Sequence, residues 1–183
     1  MLIYIIEEKR RIFELLRGMI KKSGKYIFLY EQAEFSGDIK KYINDNEVLV
    51  FKAASPESFA NTGEQIDLMV FGDLKSSLSG IDSGKIRTFL LNIENINKLG
   101  NIDFGGSQII TCGLHEKDTV IFSSIGADEC SVMLELQRSI TDIKGNGTEP
   151  FERKILLENG LESEGTSDML FALTVLMCCG RLE

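Results

Sequence analysis

At 183 residues, with 43% hydrophobic and 26% charged residues, the chain is expected to form one domain, 1–183, with a sizeable core of its own. A net charge of −8 disfavours a broad nucleic-acid surface, which needs clustered Lys and Arg, and the one strong basic cluster, Lys9-Arg10-Arg11, reads as a solvated helix start. The longest apolar run, Met169 to Cys179, has 11 residues and is too short to span a bilayer; charges arrive by residue 7, so no secretory leader is expected and the protein is placed in the cytoplasm.

Leu2 to Ile6 (LIYII) is a short, wholly apolar run, as expected of a strand buried on both faces. Ile12, Leu15, Leu16, Met19 and Ile20 then recur at helical spacing, and Ser23-Gly24 ends that helix. Tyr26 to Tyr30 reads as a second strand, Ile39 to Ile43 as a short helix, and Val48 to Phe51 as a third strand. Ser55-Pro56-Glu57 opens a turn or short helix. Leu68 to Phe71, Thr88 to Leu91 and Gln108 to Cys112 supply three more strands. Short apolar runs alternating with helical or loop segments predict an α/β fold: three layers, with a mainly parallel sheet flanked by helices.

After Cys112 the spacing tightens. Thr119 to Ser123, Ser131 to Gln137 and Phe151 to Leu157 follow without room for crossover helices, and Gly145-Asn146-Gly147 marks a tight turn. This part predicts a small antiparallel extension near the C-terminus. Ser167 or Asp168 is expected to cap a last apolar helix through Cys179, stopped by Gly180.

The first strand-to-helix turn is where an α/β domain usually receives phosphate. A phosphate loop needs glycines for close backbone approach, a Lys for the outer phosphates and a Ser or Thr for magnesium. Here the turn is Glu7-Glu8-Lys9-Arg10-Arg11, without glycine and with negative charge where phosphate would sit. Asp67, Asp73, Asp82 and Glu94 lie near predicted strand ends, where open α/β sheets hold ligands. His115, the only His, reads as a surface-loop residue. Lys75-Ser76-Ser77 and Ser123-Ser124 read as polar loop residues. Cys112, Cys130, Cys178 and Cys179 form no CxxC and read as reduced, structural thiols, so no metal site is expected.

In chain order, IDLMVFGDL, TFLLNIENINKL, SQIITCGLHEKDTVIFSSI and TSDMLFALTVLMCCGRL resemble segments of the central, ATP-binding domain of the Mur ligase family, the peptidoglycan amino-acid ligases. The resemblance implies the strand that carries the family's metal-binding Glu, a strand ending in Asn and acidic residues at Asn92 and Glu94, and a domain-closing helix. It also marks departures. The family's Gly-rich phosphate loop would fall on Ile6 to Arg11, its metal-binding Glu about at Gly72, and its His ligand in a segment that has none. The resemblance covers the family's central domain alone, without its UDP-sugar and C-terminal domains.

The resulting expectation is a stand-alone, non-catalytic Mur-ligase-like domain without a cofactor. It would serve as a protein-binding or regulatory module linked to cell-wall metabolism, its partner another protein or itself. The alternative is a small-molecule or nucleotide binder, or a weak enzyme, using the cleft at the strand carboxyl ends. Its candidate residues are Lys9, Arg10, Asp73, Asn92 and Glu94.

Overall fold

Every residue of β1 (Leu2–Ile6) is buried. Its side chains alternate between two cores: Ile3 and Ile5 enter one, Leu2, Tyr4 and Ile6 the other. Such a strand needs a neighbour on each edge and cover on each face, because its apolar surface has no side left for water. In the computed structural model, which describes residues 1–23, 27–31, 39, 41, 48–53, 63–74, 81–100, 102–158, 160–161 and 165–182, both needs are met.

α1 (Arg11–Ser23) and β2 (Ile27–Glu31) follow β1. β3 (Val48–Ala53) and β4 (Ile66–Phe71) pair with β1 in parallel, Leu2 opposite Leu49 and Ile3 opposite Leu68. β5 (Ile86–Leu91) and β6 (Gln108–Thr111) extend the sheet beyond β4, giving a six-stranded parallel order of β2-β3-β1-β4-β5-β6. The chain leaves β1 for β2 on one side and later crosses to β4 on the other. The crevice beyond the carboxyl ends of β1 and β4 is therefore the topological switch point, where open α/β sheets place ligands.

One face is covered by α1, through Ile12, Phe13, Leu16 and Ile20, and by α2 (Thr166–Cys178), against which α1 packs. Nine residues of α2 are buried, which accounts for the long apolar run near the C-terminus. The expected cap is corrected here. Gly165 holds the N-cap without a side-chain bond, and Ser167 and Asp168 lie inside the first turn. The stop is as expected: Gly180 has φ +63°, and the amides of Gly180 and Arg181 donate to the carbonyls of Met177 and Leu176.

The antiparallel extension consists of β7 (Val120–Ile125), β8 (Ser131–Leu136), β9 (Ile140–Thr141), β10 (Gly147–Thr148) and β11 (Phe151–Leu156). It forms a sheet ordered β11-β8-β7 and a β9–β10 hairpin. Val132, Leu134 and Leu136 turn inward and share the core of the helical face. A parallel bridge between Cys112 and Val120 joins this sheet to β6. The predicted stop at Gly24, the segment around Ser55-Pro56-Glu57 and Lys75-Ser76-Ser77 lie outside the described residues, as does most of the 39–43 helix.

Two carboxylates read as strand-end candidates lie at the wrong edge. Asp67 sits at the start of β4, where it accepts the Leu2 amide at 2.8 Å and the Arg87 guanidinium at 3.0 Å. Asp82 precedes β5 and pairs with Lys85 at 3.7 Å. Only Asp73 and Glu94 follow strand carboxyl ends. Asp67 thus anchors the start of the central strand. Asp67→Ala strips a buried amide of its acceptor and should cost about 1–3 kcal/mol in urea unfolding, whereas Asp82→Ala should stay within about 0.5 kcal/mol.

Candidate functional site

The turn from β1 into α1 brings Glu7 back over the helix it precedes. Its carboxylate accepts the amide of Ile12 at 3.0 Å and that of Phe13 at 2.9 Å. These are among the first amides of α1, which have no carbonyl partner within the helix. A negative group there also meets the positive end of the helix dipole. The charged turn therefore satisfies its helix from within, and Glu7 is only 3% exposed as a result. Arg10 carries the carbonyl that accepts the Glu14 amide at 3.0 Å, and it does so at φ +55°, a left-handed conformation costly for a residue with a Cβ.

The neighbouring strand end is shaped to admit this turn. Gly72 donates its amide to the Ile6 carbonyl at 2.9 Å. A Cβ on Gly72 would lie 2.8 Å from Ile12 Cδ1 and 3.1 Å from Glu7 Cβ. Glycine is therefore needed for close packing of β4's end against α1.

Above this floor lies a cleft of about 260 Å³, at the switch point, lined by Glu7, Lys9, Arg11, Gly72, Asp73, Asn92 and others. Lys9 reaches Asp73 at 3.5 Å, and Arg11 reaches Asp168 at 3.6 Å. Asn92 caps the 3-10 segment Ile93–Leu99, its side chain accepting the Glu94 amide at 2.8 Å. Lys98 donates to the Leu74 carbonyl at 2.6 Å and ties that segment to the end of β4. Asn95, Ser167, Asp168 and Phe171 complete the lining.

Burial pushes the Glu7 carboxyl up from its ordinary value, against the two amides that hold it down, and Asp168 pushes it further up. Burial likewise raises Asp168 against the lowering effect of Arg11. Among the described residues no group of three His, Cys, Asp or Glu side chains could hold a metal ion.

Of the residues read from the sequence, Lys9, Asp73 and Asn92 meet in this cleft. Arg10 does not line it and pairs with Glu14 at 3.5 Å. Glu94 turns to solvent and faces the exposed His115 at 3.6 Å. All four cysteines are free thiols; Cys130 is exposed and the others are buried. Thr174 gives its hydroxyl proton to the Leu170 carbonyl at 2.7 Å, so the Cys112 thiol donates to Thr174 across 3.0 Å. Burial pushes the Cys112 and Cys179 thiols up to about 12, which leaves them unreactive packing groups.

No family model matches the chain, and no curated protein matches its sequence. Its fold does resemble solved structures. One is a UDP-N-acetylmuramoyl-L-alanyl-D-glutamate--2, 6-diaminopimelate ligase, with a TM-score of 0.56 and 12% identity over 98% of this chain and 43% of the ligase. Another is MurF from Acinetobacter baumannii, with a TM-score of 0.55 and 11% identity over 98% of this chain and 42% of that one. The chain has a Mur-ligase-like fold. It spans less than half the length of either protein.

Within this Mur-ligase-like fold, sequence reasoning missed Glu7 as a helix ligand and missed Arg11, Asn95 and Asp168 as cleft residues. No periodicity marks them, because the turn and three separate strand or helix ends bring them together. Glu7→Ala leaves two amides without their acceptor and should cost about 1–3 kcal/mol. Sulfate should restore more stability to that variant than to the unaltered protein, since the exposed amides then face an anion beside Lys9 and Arg11. Melting temperatures in chloride and in sulfate check both statements.

Proposed function

We propose that this domain is a non-catalytic, Mur-ligase-like module that works by binding another protein or a second copy of itself, in a setting linked to cell-wall metabolism. One observation carries the reading: the carboxylate of Glu7 sits on the α1 amides that a nucleotide phosphate would require. Two anions cannot share those amides, and the turn has no glycine to let a second set of amides approach. The residues do not fit a nucleotide phosphate. Gly72 also falls about where the resembled ligases carry a metal-binding Glu, and a Cβ there would press on Ile12 and Glu7.

The fold does not need that chemistry to persist. Both cores are built from apolar strand and helix side chains and use none of the turn's charged side chains, so a binding surface can be kept without a reaction. A titration with ATP and magnesium should leave the melting temperature unchanged, because a ligand that binds only the native state must raise it by mass action. A clear shift, or ATP hydrolysis by the purified protein, overturns the reading.

The cleft favours a second reading, a small polar ligand held by Lys9, Asp73 and Asn92. Under that reading Lys9→Glu abolishes binding of the ligand, while Arg10→Glu does not, since Arg10 turns toward Glu14. Isothermal titration with UDP-sugars and nucleotides across the two variants tests it.

A further inference from the structure

We propose that Asn146 is a self-modification site, whose deamidation through the Gly147 amide acts as a slow chemical switch on the contact between the β9–β10 hairpin and the end of α2. The hairpin turn, Lys144 to Gly147, is exposed. Gly147 has no Cβ to crowd a ring closing between the two residues, and nothing lies within 4 Å of where one would stand. Its backbone is also turned outward. Thr141, its partner across the hairpin, donates its amide to Gln108 Oε1 at 2.7 Å and accepts Gln108 Nε2 on its carbonyl at 2.9 Å, so both backbone groups of Thr141 point away from β10. Residues opposite each other in an antiparallel ladder share that alternation. The Gly147 amide therefore points away from β9 as well, and the hairpin bond next to it runs from the Asp142 amide to the Asn146 carbonyl at 2.9 Å.

The reaction balances with water as its only co-reactant. The Gly147 nitrogen gives its proton to solvent base and attacks Asn146 Cγ. A new Cγ–N bond forms, the Cγ–Nδ2 bond breaks, and ammonia leaves with a proton returned by solvent. Water then opens the cyclic imide at either carbonyl. The product is aspartate or isoaspartate at that position, with a negative charge gained and no electron transferred. No residue of the cleft takes part.

The new charge arrives against a carboxylate that depends on the group it replaces. Asp142 is only 9% exposed and sits at the end of α2. The next amide, that of Ile143, donates to the Cys178 carbonyl at 2.9 Å, and Asp142 Oδ2 lies 3.4 Å from where a Cβ on Gly180 would stand. Asp142 Oδ2 accepts the Asn146 carboxamide at 3.0 Å, and Oδ1 accepts the amides of Asn146 and Lys144 at 2.7 and 2.9 Å. Burial pushes the Asp142 carboxyl up, and these bonds, with that from the Asn146 side chain foremost, outweigh it and hold it below its ordinary value. Deamidation removes the carboxamide donor and sets a second carboxylate in its place, a like-charge contact. Isoaspartate also lengthens the backbone and breaks the β9–β10 register. The chain carries a second Asn-Gly pair, Asn159-Gly160, where the glycine amide is engaged: Gly160 donates to the Leu157 carbonyl at 3.3 Å, and Leu161 to the Glu129 carbonyl at 2.8 Å.

Ageing the full chain in warm, mildly alkaline buffer, with and without urea, tests the site. Trypsin cuts after Lys144 and Arg153, so one peptide reports on Asn146 alone, and a Glu-specific protease releases Asn159 in a peptide of its own. Mass spectrometry then follows the loss of each carboxamide. In native buffer the rate at Asn146 relative to Asn159 should stand several-fold above its value in urea, where no fold distinguishes the two sites, and Gly147→Ala should slow it. Asn146→Asp should lower the hydrogen-exchange protection of the Ile143 amide about tenfold, the loss expected of one hydrogen bond to a charged group. A relative rate no higher in native buffer than in urea overturns the site. Unchanged Ile143 protection in Asn146→Asp overturns the switch. If that variant does not fold, exchange is read on the aged protein, whose modified molecules separate by charge, and equal protection in modified and unmodified molecules overturns the switch as well.

Discussion

A carboxylate resting on two helix amides governs the carboxyl edge of this sheet. Any right-handed β-α connection delivers the helix start to the end of its strand, so the first amides of α1 face the crevice beyond β1. Something must accept them. Glu7 does so from the same chain, and the rest of the edge accommodates that choice. Gly72 stays small so that Ile12 and the Glu7 stem can close on β4. Lys9 and Arg11 bend toward Asp73 and Asp168, which brings α2 into the same electrostatic group. The cleft is the space these pairs leave.

Below that edge the two cores are made of buried apolar side chains. Each central strand feeds two cores, and neither core uses a charged group from the cleft apart from the backbone that carries it. Such an arrangement lets the site diverge while the layers stay put. It explains how a TM-score of 0.56 coexists with 12% identity. The common element is a succession of short apolar runs at parallel-sheet spacing, which many sequences can supply.

That succession was readable in advance. LIYII, VLVF, LMVF and TFLL have no polar face and are bounded by loops, so buried parallel strands were the natural inference, and the change after Cys112 marked the antiparallel extension. Strand edges were less legible. Asp67 belongs to β4 itself, but a search for apolar runs begins that strand at Leu68 and misplaces its carboxylate. Its real partners, Leu2 and Arg87, come from the strands on either side. The cleft was legible only in part for the same reason. Lys9, Asp73 and Asn92 could be guessed from strand ends, whereas Asp168 entered through helix packing. Glu7 was noticed for its charge but not as a ligand of the helix, because its bonds to residues five and six positions later obey no helical or strand period.

A helix start completed by its own chain differs thermodynamically from one completed by a ligand. A ligand stabilises in proportion to the logarithm of its concentration, so a ligand-completed domain follows the supply of that ligand. Glu7 is tethered a few residues from its amides, and no change in solution can dilute it. The fold gains independence from any phosphate compound.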